Sequence, residues 1–303
     1  MSLQRNKNDI PVYILMVAPV LLFYIIIVAG PILFSLGLGF TNYDFKPNQK
    51  AEFVWFDQYE KMFADSKFWT GLKNNLFIVA VSLFGQIPFG LVMAYLLYRK
   101  RVNFANFFQA MVFLPQVIST VVVGILWRNF FGIRGAATGL MRLLTDNPKF
   151  VFKWFLSPHT AMIPVGIALL WVYTGYFMLV FLANLQKFDP GIIEAAQIDG
   201  ATETQIFRKI IVPALAGVIV INSILAISGS LKGFDLIFVL APNDGQGIAN
   251  ANLVLPTYMY HYAFRANKYA FGSAISTTIV FISVAFIGIA SFVGKRLNPM
   301  RED

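Results

Sequence analysis

Six stretches of more than 20 residues in this 303-residue chain contain no Asp, Glu, Lys or Arg, at 10–43, 74–98, 102–127, 154–186, 210–231 and 269–294. Each reaches the roughly 20 residues with which a helix crosses about 30 Å of hydrocarbon. At that depth there is no water to bond the backbone, so only helices and closed barrels satisfy every N–H and C=O group. These runs are solidly apolar and lack the alternation of a membrane barrel. The expected fold class is an all-α membrane protein: six transmembrane helices, at about 10–40, 74–98, 104–130, 160–186, 210–231 and 271–294, forming a single membrane domain over 1–303. Composition agrees, with 57% hydrophobic and only 13% charged residues, against roughly 25% charged in soluble domains. The 31 Phe and 12 Tyr carry more apolar surface than one aqueous domain of this length can bury.

The formal charge of +9 would raise nucleic acid as a partner of a soluble protein. Here basic loop residues are read as setting helix orientation, and no nucleic acid is expected. One alternate set of loops concentrates Arg5, Lys7, Arg99, Lys100, Arg101, Lys187, Arg208, Lys209, Lys295, Arg296 and Arg301. The opposite loops, 41–71, 132–159 and 232–271, spread a similar number over about twice the length, which places both termini in the cytoplasm. The first run is too long for the apolar region of a signal peptide and is kept as span one.

Much chemistry is missing from the sequence. With no Cys there is no disulfide framework and no thiolate metal site. His159 and His261 fall in separate loops with no ligand cluster around them and read as headgroup-level residues, so no metal is expected. Ser157 beside His159 has no motif to make it a nucleophile. No phosphate-cradling Gly-x-x-x-x-Gly-Lys-Ser/Thr loop occurs, so if ATP drives this protein another chain binds it. Within the spans, Pro19, Pro31, Pro88, Pro115 and Pro164 join Gln86, Gln116, Asn222, Ser228 and Ser230. These fit ordinary kinking and interhelical bonding, or equally a water-lined path through a bundle that changes shape. No charge sits mid-span, which argues against a proton relay or a voltage sensor.

Between the fourth and fifth spans, the loop at about 187–211 has a legible design. Asp189 before Pro190 is a helix start, with a capping carboxylate ahead of a residue that lacks the N–H the first position does not use. Gly200 can stop that helix with a positive φ. Thr202-x-x-Gln205 then opens a second helix as a capping box. The result is a helix, a glycine elbow and another helix, which on physics alone is either a knob for a partner or a loop packed on its own bundle.

At these residues the chain resembles the permease subunits of binding-protein-dependent ABC importers. Their cytoplasmic pattern is Glu-Ala-Ala, three residues, Gly, nine residues, then Ile-x-Leu-Pro, and here Glu194-Ala195-Ala196, Gly200 and Ile210-x-Val212-Pro213 fall at that spacing. Supporting pieces are Phe40-Thr-Asn-Tyr43-Asp44, Phe56-Asp57-Gln58-Tyr59, Phe68-Trp69 and Tyr258-x-Tyr260-x-x-Ala263-Phe264. They look closest to the sugar-type branch. The Gly-Gly-Pro-like turn expected after Leu240 is replaced by Ala241-Pro242-Asn243-Asp244-Gly245.

The resemblance implies a type I importer permease-like bundle in a bacterial or archaeal inner membrane, itself no enzyme and without a cofactor. It would pair with a second homologous permease and with two ATPase subunits that bind ATP and Mg. A solute-binding protein outside the membrane would deliver a carbohydrate, expected to be of oligosaccharide size. Glu194, Ala195, Ala196, Asp199, Gly200, Ile210 and Pro213 would couple the chain to an ATPase subunit. By the same resemblance the cargo lies between the spans flanking the elbow. Tyr176 matches an aromatic contact there, and Ala226, Gly229, Ser230 and Gly233 fall at the other contact positions. The expected substrate path is Trp171, Tyr173, Thr174, Tyr176, Ser228, Ser230, Lys232 and Asp235, with Lys232 and Asp235 read alternatively as headgroup-level charges or as a pair. Trp127 is assigned to an interfacial aromatic belt. Competing readings are a permease for a phosphorylated polyol or other solute, an ATPase-independent facilitator, and an intramembrane enzyme.

Overall fold

The computed structural model of the chain describes residues 10–151, 153–155 and 157–297. The orientation residues Arg5, Lys7 and Arg301 lie outside the described residues. Regular structure among those described is helical apart from one isolated bridge, Thr41 to Phe53. Four helices are long and apolar enough to cross a membrane: Ile14–Leu38, Ser66–Tyr98, Met162–Leu185 and Tyr269–Gly294. Two further helix pairs are apolar enough only when taken together, and each is bent at a short break. Ala105–Val117 meets Thr120–Phe130 at 98°, and Glu203–Ala214 meets Ala216–Lys232 at 69°.

With each bent pair read as one span the count is the six expected, and the bend in span three has a local cause. In span three, Pro115 lacks the N–H its turn would use, and Ile118 (ψ 140°) and Ser119 (ψ 132°) leave helical geometry just after it. The helix that carries span two begins at Ser66, where Asp65 caps it by accepting from the Lys67 N–H at 2.9 Å. A criterion based on freedom from charge cuts off this first, lysine-bearing part.

Three of the prolines share one pattern. Pro31, Pro88 and Pro213 each stand two residues after a π-helical turn, at Ile25–Ala29, Ser82–Gln86 and Phe207–Ile211 respectively. A proline cannot donate to the carbonyl four residues earlier, and its ring crowds that carbonyl. The residues four before these prolines are Ile27, Phe84 and Lys209, the middle of each widened turn.

The chain divides into two units, described separately. The first comprises Met1–Ala64 and Met259–Thr278. Its helix Ile14–Leu38 buries none of its apolar window. Beyond the helix, Phe40 stacks on Phe53 and meets Phe56 edge-on, while Asp44 accepts from the Ala270 N–H at 3.1 Å.

The second unit, Asp65–Tyr258 with Ile279–Asp303, carries the functional features. Spans two and four pack closely at Gly90, where an added Cβ would stand 2.7 Å from the Phe177 Cβ. Gly175 makes a still closer approach to the Val112 carbonyl of span three. Small residues at crossings let helices gain packing in a solvent that supplies no hydrophobic drive between them. Asn74 donates to the Ala251 and Leu253 carbonyls at 3.0 and 2.8 Å, and Asn252 to the Ala161 carbonyl at 2.6 Å. These bonds anchor the segment after Leu240.

Candidate functional site

The elbow forms as its capping residues dictate. Asp189 accepts from the Gly191 N–H at 2.9 Å and opens the helix Pro190–Ile198. Gly200 has φ +80° with open space around it. Thr202 and Gln205 close a reciprocal capping box at the start of Glu203–Ile206. Ile193 and Ile206 are buried in one apolar cluster with Leu91, Ala94 and Leu97 of span two. Glu194, Ala195 and Asp199 stand exposed on the other side, with Ile198 86% exposed beside them. Ala196 is half-buried. Of the remaining expected coupling residues, Ile210 lies in the π-helical turn at the start of span five and Pro213 just beyond it, so neither belongs to the exposed elbow.

One charged cluster was not foreseen from the sequence, where Arg99 and Arg101 counted only as orientation charges. The Glu203 carboxylate accepts from Tyr95 Oη at 2.7 Å, from Arg99 Nε at 3.2 Å and Nη2 at 2.7 Å, and from Arg101 Nη2 at 3.1 Å. Glu203 stands in the polar segment ahead of the apolar run that begins at Ile210. The Arg99 bonds, followed by that of Tyr95, lower its pKa from 4.5 to about 2. The Arg99 guanidinium is correspondingly held above its ordinary pKa by its hydrogen bonds to Glu203.

A cavity of about 570 Å³ opens where spans two, three, four and five meet. Span two contributes Ser82 and Gln86, the break of span three Gln116 and Thr120, and span four Tyr173, Tyr176 and Phe177. Gly229, Ser230, Lys232 and Asp235 come from span five and the residues after it. Ser82 Oγ and Ser230 Oγ are 3.0 Å apart, and Gln86 donates to the Leu169 carbonyl at 3.1 Å. Gln116 Oε1 is a buried acceptor without a hydrogen bond.

Five of the eight residues expected on the substrate path therefore line one cavity: Tyr173, Tyr176, Ser230, Lys232 and Asp235. Trp171, Thr174 and Ser228 do not. Span four turns 169, 173, 176 and 177 toward the cavity, the spacing of one helical face, which points Trp171 elsewhere. Trp171 instead meets Trp127 edge-on at 5.6 Å, and Thr174 donates to the Leu170 carbonyl of its own helix at 2.6 Å. Trp127 also stacks on Phe131 at 5.5 Å, as part of an aromatic cluster. Among the described residues no ion pair joins Lys232 to Asp235, contrary to the pairing considered above.

Comparison with known proteins bears on the whole chain. A family model described as "Binding-protein-dependent transport system inner membrane component" matches residues 86–300. A probable ABC transporter permease protein of Pyrococcus horikoshii is 31% identical over 287 residues, covering 93% of this chain and 95% of the relative. An arabinooligosaccharides transport system permease protein of Bacillus subtilis is 31% identical over 286 residues, covering 94% and 87%. A lactose transport system permease protein of Rhizobium radiobacter is 29% identical over 283 residues, covering 93% of each. In fold, the chain is similar to one from a bacterial ABC transporter involved in import of the acidic polysaccharide alginate, with TM-score 0.80, 22% identity and 96% of both chains covered.

Proposed function

The chain belongs to the binding-protein-dependent transport inner membrane components, and on that premise we propose that it forms half of the translocation path of an ATP-driven carbohydrate importer. It is a transport subunit and not an enzyme. A second, homologous permease completes the path, and two ATPase subunits bind ATP and Mg and hydrolyse the nucleotide. A solute-binding protein outside the membrane delivers the cargo.

The observation that carries the carbohydrate reading is the lining of the cavity. Tyr173, Tyr176 and Phe177 offer ring surface on one side, while Ser82, Gln86, Gln116 and Ser230 offer donors and acceptors on another. A pyranose has the same division, with C–H faces that pack on rings and hydroxyls that bond polar neighbours. The relatives named for lactose and arabinooligosaccharides support a neutral sugar of more than one unit. The exposed elbow, with Glu194 and Asp199 facing outward, is the element an ATPase subunit grips, and it lies on the cytoplasmic side with both termini. Glu194 then offers a charge-assisted hydrogen bond to a cationic cleft residue.

Lys232 on the cavity wall supports a second reading, an anionic cargo such as a phosphorylated polyol. Asp235 on the same wall counters it. The test is purification of the tagged chain from its native membrane, followed by uptake assays in liposomes. The proposal expects a second permease and an ATPase to co-purify, and uptake of a neutral oligosaccharide to need ATP and the solute-binding protein. A chain that transports alone, or a complex that accepts only anionic solutes, overturns it.

A further inference from the structure

Glu203 binds the elbow to span two more tightly than an elbow that only meets a partner requires. Its four hydrogen bonds all come from the last turns of span two or the residues just after it. Arg99 supplies two of them as a planar fork, a geometry that fixes orientation as well as distance. With 17% of its side chain exposed, Arg99 is screened less than a surface cation. Beneath the carboxylate, the Tyr95 and Phe207 rings lie 5.0 Å apart. Ile193 of the first elbow helix, and Ile206 of the second, share one apolar core with Leu91 and Ala94. The elbow and the Ile87–Tyr98 half of span two are thus tied by the Glu203 hydrogen bonds and by side chains of one apolar cluster.

Next to that half, span two widens into the π-helical turn Ser82–Gln86. Its helical bonding is interrupted there by Pro88, so this is where the two halves of the span can change angle most easily. The turn is also part of the cavity wall: Ser82 reaches Ser230, and Gln86 reaches the Leu169 carbonyl. A force on the elbow therefore meets a stiff segment first and a yielding one second, and the yielding one touches the cavity.

We propose that Glu203 is a positioning residue that fastens the elbow to span two, so that displacement of the elbow reaches the cavity wall through the turn Ser82–Gln86. The proposal rests on the reading of the elbow as the element an ATPase subunit grips. It gives the charged cluster a role that neither the cavity nor the exposed face of the elbow explains.

The chain has no cysteine, so a reporter can be placed at Gly229, which faces the cavity with open space around it. The complete importer carrying Gly229→Cys, with partner subunits free of accessible thiols, is reconstituted in liposomes and treated with a charged maleimide with and without ATP. The labelling rate of the parent changes several-fold on adding ATP. Glu203→Ala and Arg99→Ala each abolish most of that change while ATP hydrolysis continues, and the double variant loses no more than either single one, as expected of two groups acting through one contact.

If Glu203→Ala does not assemble, Glu203→Gln keeps the side chain's size and is measured in its place, with the same loss expected. A Glu203 variant that keeps the parent's response to ATP overturns the proposal, as do losses that add in the double variant. Glu194→Ala separates this proposal from the reading beneath it. Loss of response in Glu194→Ala but not in the Glu203 variants removes the fastening role alone. A parent whose labelling ignores ATP removes the coupling reading together with it.

Discussion

Asn75 donates its side-chain amide to the Ser230 carbonyl at 2.9 Å, and its own Oδ1 accepts from the Leu255 N–H at 2.8 Å. One fully buried side chain of span two thus holds both a wall of the cavity and the segment leading to Tyr258. Asn75→Leu keeps the branch point and the number of heavy atoms and leaves that carbonyl and N–H without partners, each costing about 1–3 kcal/mol. The purified protein should unfold at a clearly lower temperature, read by differential scanning in detergent. An unchanged midpoint would show that water replaces both bonds.

Tyr176→Ala removes a ring from the cavity and should weaken transport at least several-fold by the assembled importer, with ATP hydrolysis retained because the elbow is untouched. Trp127→Phe is the control. Its indole nitrogen is buried without a hydrogen bond, so the change keeps the stacking on Phe131 and removes nothing that is paired. Cargo selectivity should be the same as in the parent.

Gly200 separates backbone from packing. No atom stands where its Cβ would be, so any penalty of substitution comes from φ +80° alone. Asn tolerates this region and a β-branched residue does not. Uptake should survive Gly200→Asn and fall in Gly200→Val, with equal amounts of both in the membrane by immunoblot. Equal uptake by the two would separate the elbow's shape from its function.

The pH dependence of stability follows from Glu203. Its pKa is depressed from 4.5 to about 2 on folding, so the unfolded chain binds the proton more readily. The cluster's contribution is complete above about pH 4.5 and disappears as pH falls toward 2. Thermal midpoints measured from pH 5 to pH 3 should fall less steeply for Glu203→Gln than for the parent. Because the carboxylate is 37% exposed, the effect is reduced by solvent screening. Parallel curves would mean the charge is not what holds the cluster.

A change at Gly229 tests cargo size. With open space at its Cβ position and the cavity in front of it, Gly229→Phe should fold normally and exclude longer oligosaccharides before shorter ones. Competition among sugars of increasing length in the uptake assay measures this. Loss of every sugar in equal proportion would place the cargo elsewhere.

What was legible in the sequence was local. Asp189, Pro190, Gly200, Thr202 and Gln205 act on neighbours within a few residues, so the elbow could be drawn from capping rules. The spans were visible because lipid demands composition rather than particular partners. Pairings between distant segments were not legible: Glu203 is 104 positions from Arg99, and Asn75 is 155 from Ser230. Tyr173 and Trp171 are alike in chemistry and two positions apart, and only the rotation of the helix assigns one to the cavity and the other to an aromatic cluster. Pro115 marked where span three can bend, but composition does not say that the bend reaches 98°.

The pattern that joins Pro31, Pro88 and Pro213 to the turns before them bears on how such chains diversify. In span two the widened turn itself, through Ser82 and Gln86, lines the cavity. A lineage that loses Pro88 and tightens this turn shifts two lining side chains together with the joint. In that helix, mechanics and selectivity share one address.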